Sequence, residues 1–342
     1  MQKLINEIVG KSSFVGNDHI VDTIFIGGGT PSVLEISYIA EILDALYANY
    51  YIKSDVEITI ETNPGTLNST KLTEYINMGI NRLSMGVQSL NEDVLKYLGR
   101  IHNEYEVYKN FDDARVAGFE NINLDMMFGI PGQSNKIWEN DFKDVLKLSP
   151  EHISFYSLQV EEGTPVFVDV MEDMVSLPDE ITDRRMYHTA LDLLAANDYS
   201  HYEISNASKP GFESRHNLKY WSMDDYIGVG LGAHSFIDGK RSDNTELLKE
   251  YLSAPSIMGM VHSIYENTKS DHMSEYIFLG LRKTSGINLI EFEKVYNKKF
   301  MELYQEEVDS LMSRGLLEIN GHHLRLTSLG LDLSNQVFME FV

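Results

Sequence analysis

Residues 24–34 read IFIGGGTPSVL, an apolar run too short for a helix that breaks into three glycines, a threonine and a proline. The same grammar recurs downstream. ITIETNPGTL (58–67), INRLSMGVQSLNEDVLKYLGRIHN (80–103), INLDMMFGIPGQS (122–134) and ISFYSLQVEEGTP (153–165) each open on a β-rich stretch and pass into polar or glycine-proline residues. Strands are expected at residues 22–26, 56–60, 82–87, 122–127 and 153–158, separated by helical segments such as 37–51 and 137–148. Alternation at spacings of roughly 25 to 35 residues is the rhythm of repeated βα units, which build a parallel sheet. The first two and last two strands read as short apolar runs of the kind buried on both faces.

In such a sheet the carboxyl ends of the strands converge on one face, and ligands bind there. Those ends carry Gly27-Gly28-Gly29-Thr30-Pro31, Glu61-Thr62-Asn63-Pro64, Gln88-Ser89, Asp125 with Gly129-Ile130-Pro131-Gly132-Gln133, and Gln159. A glycine triplet lets a ligand approach the backbone and offers it N–H groups. It is neither a dinucleotide fingerprint nor a P-loop, because no G-x-G-x-x-G is present and no Gly-Lys-Ser/Thr follows. Glu61 and Asp125 suit an ammonium group or ribose hydroxyls. The competing readings are plain turn punctuation for the glycines and prolines, and a helix cap or an ion pair with Arg82 or Arg100 for the two acids.

Composition bounds the rest. With 342 residues, 43% of them hydrophobic, a large globular domain plus a smaller one is expected. A formal charge of −24 disfavours nonspecific attraction to nucleic acid or to anionic membrane surfaces. The opening MQKLINEIVGKSSF has no apolar signal core and no run approaches a membrane span, so a cytoplasmic location is expected. There is no cysteine, hence no disulfide, thiolate metal site or redox thiol within these residues.

Taken in order, these runs together with RHNLKYW (215–221) and IGVGLGAHSF (227–236) resemble the radical S-adenosylmethionine (SAM) proteins of the oxygen-independent coproporphyrinogen oxidase family, and especially their HemW-type haem-chaperone branch. The match covers nearly the whole chain. It implies an α/β fold, a partial (β/α)6 TIM-like barrel with SAM across the strand ends and a C-terminal winged-helix-like domain. It further implies that Gly28, Gly29 and Thr30 contact the methionine portion, that Glu61, Gln88, Arg100 and Asp125 hold its polar atoms and the ribose, and that Gln159 lies near the adenine. Family members begin with a strand leading into C-x3-C-x2-C, whose thiolates hold a [4Fe-4S] cluster. This chain opens instead on LINEIV (4–9), which reads as the first helix, and enters the second strand. The expectation is that the first strand and cluster loop are missing, either from an incomplete sequence or in a cysteine-free homologue that keeps the fold for haem.

The expected divisions are residues 1–170 for the barrel, 171–261 for an extension and 262–342 for the winged-helix-like domain. In the extension, after a helical stretch at 179–197, His216-Asn217-Leu218-Lys219-Tyr220-Trp221 matches the H-N-x-x-Y-W run of the haem chaperones. The resemblance makes His216 the candidate axial ligand of haem iron, with Tyr220 and Trp221 packing on the porphyrin; a satisfied structural histidine is the plainer reading. His234 is expected to make a structural hydrogen bond or to face the pocket. In the last domain, Met273, Ile277, Phe278 and Leu281 form one apolar stripe and Phe300, Leu303, Val308, Leu311 and Met312 approximate another, closed by Gly315. Asn320-Gly321 is expected as a two-residue hairpin turn between 316–319 and 323–326. Glu302, Glu306, Glu307 and Asp309 would repel phosphate, so this domain is expected to be a lid or docking module, with Glu275 and Arg282 solvated or pairing helices. The leading functional expectation is a carrier that binds haem and passes it to acceptor proteins. The alternatives are a coproporphyrinogen III oxidase that turns propionates into vinyl groups, and a scaffold binding neither ligand.

Overall fold

The computed structural model describes residues 1–15 and 19–342. The chain divides into two compact units, one comprising Thr23–Ser37 and Glu57–Ser214, the other Met1–Asp22, Tyr38–Val56 and Arg215–Val342.

The first unit is organised by a curled sheet of seven strands: β1 (Val21–Ile26), β2 (Ile52–Thr62), β3 (Arg82–Gln88), β4 (Ile122–Phe128), β5 (His152–Ser157), β6 (Ser200–Glu203) and β7 (Asn206–Ser208), in the order β1-β2-β3-β4-β5-β7-β6. From β2 to β5 neighbouring strands are parallel, and β7 and β6 close the sheet as an antiparallel pair. All five expected strands are present; β2 starts earlier than its apolar core, with Ile52 half-buried and Lys53, Ser54 and Asp55 exposed.

Successive strand residues face opposite sides, and the two sides here differ in chemistry. One carries Leu83, Met85, Val87, Leu124, Met126, Phe128, Ile153 and Phe155, all buried. Helix Asn135–Lys147 covers it, with Trp138 ring to ring with Phe128 at 5.3 Å and Phe142 with Phe155 at 6.2 Å. The other side carries Glu57, Thr59, Arg82, Ser84, Asn123 and His152, equally buried and all polar. Barrel interiors are usually filled by branched apolar side chains. The strands are buried on both faces, as read from the sequence, but one of the two faces is polar, and it leads up to the candidate site.

The second unit contains helix Gln2–Val15 and two small antiparallel sheets. In the first, β8 (His234–Ile237), β9 (Lys240–Asn244) and β10 (Val261–Glu266) lie in the order β10-β9-β8; β8 and β9 are joined by Asp238-Gly239, both at positive φ. In the second, β11 (Ile287–Asn288), β12 (Leu317–Asn320) and β13 (His323–Leu326) lie in the order β11-β13-β12 beside helices Lys269–Gly280, Leu289–Tyr296 and Phe300–Ser313, the winged-helix-like arrangement. Asn320 pairs with His323, so the hairpin turn is Gly321-His322, one residue later than expected. That register sets buried Leu317 opposite buried Leu326, and burial of one face outranks the turn preference of Asn-Gly. Leu303 and Met312 stand exposed, and the expected second stripe narrows to Phe300, Val308 and Leu311. Glu275 is not solvated: it grips Arg241 of β9 in a fork at 3.0 and 2.8 Å. Arg282 lies over the Trp221 ring at 4.3 Å. No helix among the described residues is long and apolar enough to cross a membrane.

Helix Gln2–Val15 is fixed by a buried carboxylate. Glu7, fully inaccessible, accepts from Lys11 at 2.9 Å, Asn244 Nδ2 at 2.7 Å, the Tyr251 hydroxyl at 2.6 Å and the Gly230 N–H at 2.9 Å. Lys11 also donates to the Gly228 carbonyl at 2.7 Å. Burial and the Glu7 charge push the Tyr251 hydroxyl up, so it stays protonated as a donor. Removing one member of such a cluster strands the others in low dielectric. Glu7→Ala is expected to cost about 3–5 kcal/mol in urea unfolding, and Glu7→Gln distinctly less; a cost near zero for Glu7→Ala contradicts the assignment.

Candidate functional site

The loop after β1 sets one wall. A Cβ built on Gly27 would lie 2.7 Å from the Glu61 carboxylate, so only glycine lets that carboxylate sit against the backbone. Gly28, at φ +91°, donates its N–H to Glu61 Oε2 at 3.2 Å. Beyond it the loop is open, since a Cβ on Gly28 or Gly29 meets nothing within 4 Å. Thr30 Oγ1 accepts from Asn63 Nδ2 at 3.2 Å, and Asn63 Oδ1 accepts from Arg100 Nη1 at 3.0 Å. Asn63 therefore ties together three loops, a role that its position in a turn-like sequence run did not disclose.

The end of β3 is strained. Gln88, buried at φ +67°, occupies a left-handed conformation unusual for a side chain of its size, and the ladder to β4 slips by one residue between Gly86 and Gln88. The Tyr156 hydroxyl holds Gln88 Oε1 at 3.1 Å, and a Cβ on Gly86 would come within 2.9 Å of Asn63 Oδ1. Asp125 sits one strand over, half-buried, accepting from Asn123 Nδ2 at 2.6 Å and from Ser84 Oγ at 3.3 Å.

Electrostatics gathers these groups into one neighbourhood. Burial raises the Asp125 carboxyl, opposed by its hydrogen bonds and by the charge of Arg82. Burial raises Glu61 too; the Gly28 N–H opposes this and the charge of Asp125 adds to it. The Tyr156 hydroxyl is pushed up to about 12 by burial first, with Asp125 and Glu61 contributing and Gln88 and Arg100 opposing. Arg82 lies fully buried below, its Nε without a partner among the described residues, and burial lowers it against the opposing charges of Glu57 and Asp125.

Seven of the eight residues expected at a SAM site thus lie on the walls just described. Gln159 is exposed, with only a 3.5 Å contact to the Ser157 carbonyl, and stands outside this network. The site offers an open glycine backbone, an arginine for a carboxylate and two acids for hydroxyl or ammonium groups, a donor set that fits SAM. An iron–sulfur cluster is not matched: no thiolate exists among these residues to hold one. Asn63 was read from sequence only as part of a strand-end run, and Tyr156, Ser84 and Asn123 were not singled out, although the alternation of polar and apolar residues was readable.

The haem candidates belong to the other unit, on helix Arg215–Ser222. His216 is half-buried, with Nε2 2.9 Å from the Tyr220 hydroxyl and the two rings edge-on at 5.1 Å. Tyr220 packs edge-on against Tyr226 at 4.7 Å. Trp221 Nε1 is buried without a partner among the described residues. An iron bond at His216 Nε2 requires the Tyr220 hydroxyl to turn away. His234 is exposed at the start of β8, and no hydrogen bond of its side chain is found among the described residues.

The raised Asp125 carboxyl has a thermodynamic sign. Its ionised form destabilises the fold at pH above its raised value, and the penalty fades as pH falls through that value toward the unfolded one. Asp125→Asn is therefore expected to raise stability at pH 8 by about 1 kcal/mol, the gain shrinking on acidification; a loss at pH 8 contradicts this.

Residues 4–145 match the radical SAM superfamily and residues 267–333 the HemN C-terminal domain. The chain is 36% identical over 320 residues to the heme chaperone HemW of Lactococcus lactis, covering 94% of this chain and 84% of that one. It is 38% identical over 322 residues to the heme chaperone HemW of Bacillus subtilis (94% and 85%), and 32% identical over 341 residues to that of Escherichia coli (96% and 86%). Its fold superposes on the coproporphyrinogen III oxidase HemN of Escherichia coli with a TM-score of 0.85 at 22% identity, covering 99% of this chain and 82% of that one. With its superfamily motifs, its C-terminal domain and its relatives in agreement, the chain belongs to the HemW family of radical SAM proteins.

Proposed function

We propose that this chain is a cytoplasmic haem carrier that binds haem at helix Arg215–Ser222 and passes it to acceptor proteins, and that the strand-end site holds SAM. The observation that carries the haem reading is a group of four cations set beside half-buried aromatic rings. In a chain of net charge −24, Arg215 and Lys219 lie on the helix, and Arg282 and Lys283 lie beside it. Lys219 is braced by Asp22 at 2.9 Å, and Lys283 donates to Ser222 Oγ at 3.2 Å. Haem presents two propionates, an aromatic face and an iron, and the helix offers cations, Tyr220 and Trp221, and the His216 imidazole. The names of the relatives support the same reading. The oxidase alternative rests on a shared fold at 22% identity, whereas the chaperone relatives share 32–38%.

SAM, when bound, supplies a sulfonium and an adenosyl group. Around it Arg100 would take the carboxylate of the methionine portion, Gly28 and Gly29 would let the ligand approach the backbone, and Asp125 would accept from the ribose hydroxyls. Gln88 and Thr30 would complete the polar contacts, and Glu61, already receiving one backbone N–H, would hold the amino group. Gln159 would reach the adenine from its exposed position.

Two titrations test these readings. Haem added anaerobically is expected to saturate at one equivalent with a shifted Soret band, and His216→Ala to weaken binding about tenfold or change the spectrum; nonsaturable uptake by the parent protein contradicts the carrier reading. S-adenosylhomocysteine, followed by calorimetry, is expected to bind with an affinity that falls as pH drops through the raised Glu61 and Asp125 carboxyls, starting above the ordinary carboxylate range. Affinity unchanged between pH 8 and pH 5 argues against carboxylates holding the ligand.

A further inference from the structure

Below the strand ends, a single file of hydrogen bonds runs through the first unit. Asn123 Nδ2 donates to Asp125 Oδ1 at 2.6 Å and to Ser84 Oγ at 2.7 Å. The other face of the same amide, Oδ1, lies 2.6 Å from His152 Nδ1 and accepts from Ser154 Oγ at 3.1 Å. His152 Nε2 lies 2.7 Å from the Tyr202 hydroxyl, whose oxygen accepts the Ser214 N–H at 3.2 Å. The fold builds this file directly, since Asn123 and His152 are register partners on β4 and β5, as are Asp125 and Ser154.

The protons in it have one consistent placement. An ionised Asp125 only accepts, so Asn123 must turn its amide nitrogen toward it and its oxygen toward His152. His152 Nδ1 then carries the proton, and Nε2 is left with a lone pair. At the far end the Tyr202 oxygen accepts the Ser214 N–H and its own proton is free to go to Nε2, so this end is compatible with the tautomer that the Asp125 end sets. His152 is fully buried, and burial together with the nearby Arg82 charge keeps the imidazole neutral, as the file requires.

We propose that His152, acting through Asn123, is a positioning residue for Asp125: it braces the Asn123 amide with its nitrogen on the carboxylate, and so holds that carboxylate oriented toward the ribose hydroxyls. The proposal rests on the reading of the strand ends as a SAM site. Without the His152 donor, only the Ser154 hydroxyl is left on the oxygen side of Asn123, so the amide is held less firmly with its nitrogen on Asp125 and the carboxylate loses support.

The test uses the full chain, S-adenosylhomocysteine and its analogue lacking both ribose hydroxyls. For His152→Leu, binding of S-adenosylhomocysteine is expected to weaken about tenfold while the analogue is unaffected, and His152→Gln, which can donate to Asn123 and accept from Tyr202, is expected to recover part of the loss. Equal weakening of both ligands, or of neither, overturns the proposal. Tyr202→Phe, a milder change should the leucine variant fail to fold, is expected to give the same selective loss at smaller size, and an unselective loss again overturns it. A second measurement stands apart from SAM: the carboxyl carbon of Asp125, followed by NMR, is expected to titrate at higher pH in the His152 or Tyr202 variant than in the parent. An unmoved midpoint sinks the positioning role, whereas failure of the parent to bind S-adenosylhomocysteine sinks the SAM reading and leaves the Asp125 titration to decide the rest.

Discussion

Asp125 puts a carboxylate on the inner face of a parallel sheet, where hydrocarbon would be the cheaper filling, and much of the first unit is arranged around keeping it supplied with donors. Ser84 and Asn123 reach it from β3 and β4, and Arg82 lends charge from below. The apolar face of the same sheet carries the packing: Phe128 and Phe155 interlock with Trp138 and Phe142 of helix Asn135–Lys147. One face therefore secures the fold while the other is released for binding, a division that strand alternation makes possible at no cost in length. The strain at Gln88 belongs to the same design, since a left-handed backbone and a slipped ladder aim a polar side chain where a regular strand would not.

The second unit solves a different problem with the same device. Glu7 anchors its helix by accepting from Lys11, Asn244, Tyr251 and the Gly230 backbone, so a charge that would be costly alone becomes a specific attachment point. Glu275 and Arg241 do likewise between helix Lys269–Gly280 and β9. Helix Arg215–Ser222 contrasts with both, having no fully buried residue and keeping its aromatic and cationic groups near the surface. Such a helix suits a large flat ligand that must be released as well as bound.

The parallel strands were legible because β-rich runs ended in glycine, proline and acids, and the candidate site because those endings fell at strand carboxyl ends. The aromatic stretch at 215–221 was legible as a motif, but its charge setting was not, since Arg282 and Lys283 come from far along the chain. The β8–β9 hairpin was missed although Ile237-Asp238-Gly239-Lys240 carries the Asp-Gly signal of a two-residue turn. In the last hairpin the local Asn-Gly signal pointed one residue early, because pairing of Leu317 with Leu326 set the register. Tyr156 and His152 escaped notice, and Asn63 was read only as part of a strand-end run, for a common reason: their importance lies in distant partners, 68, 29 and 37 positions away respectively.

The most direct test of the account is the iron coordination of the haem-loaded chain, read by resonance Raman spectroscopy in the parent, in His216→Ala and in Asp125→Asn. A histidine-ligated iron is expected in the parent and in Asp125→Asn, lost or replaced in His216→Ala. An iron spectrum identical in all three proteins would contradict a haem site built on His216.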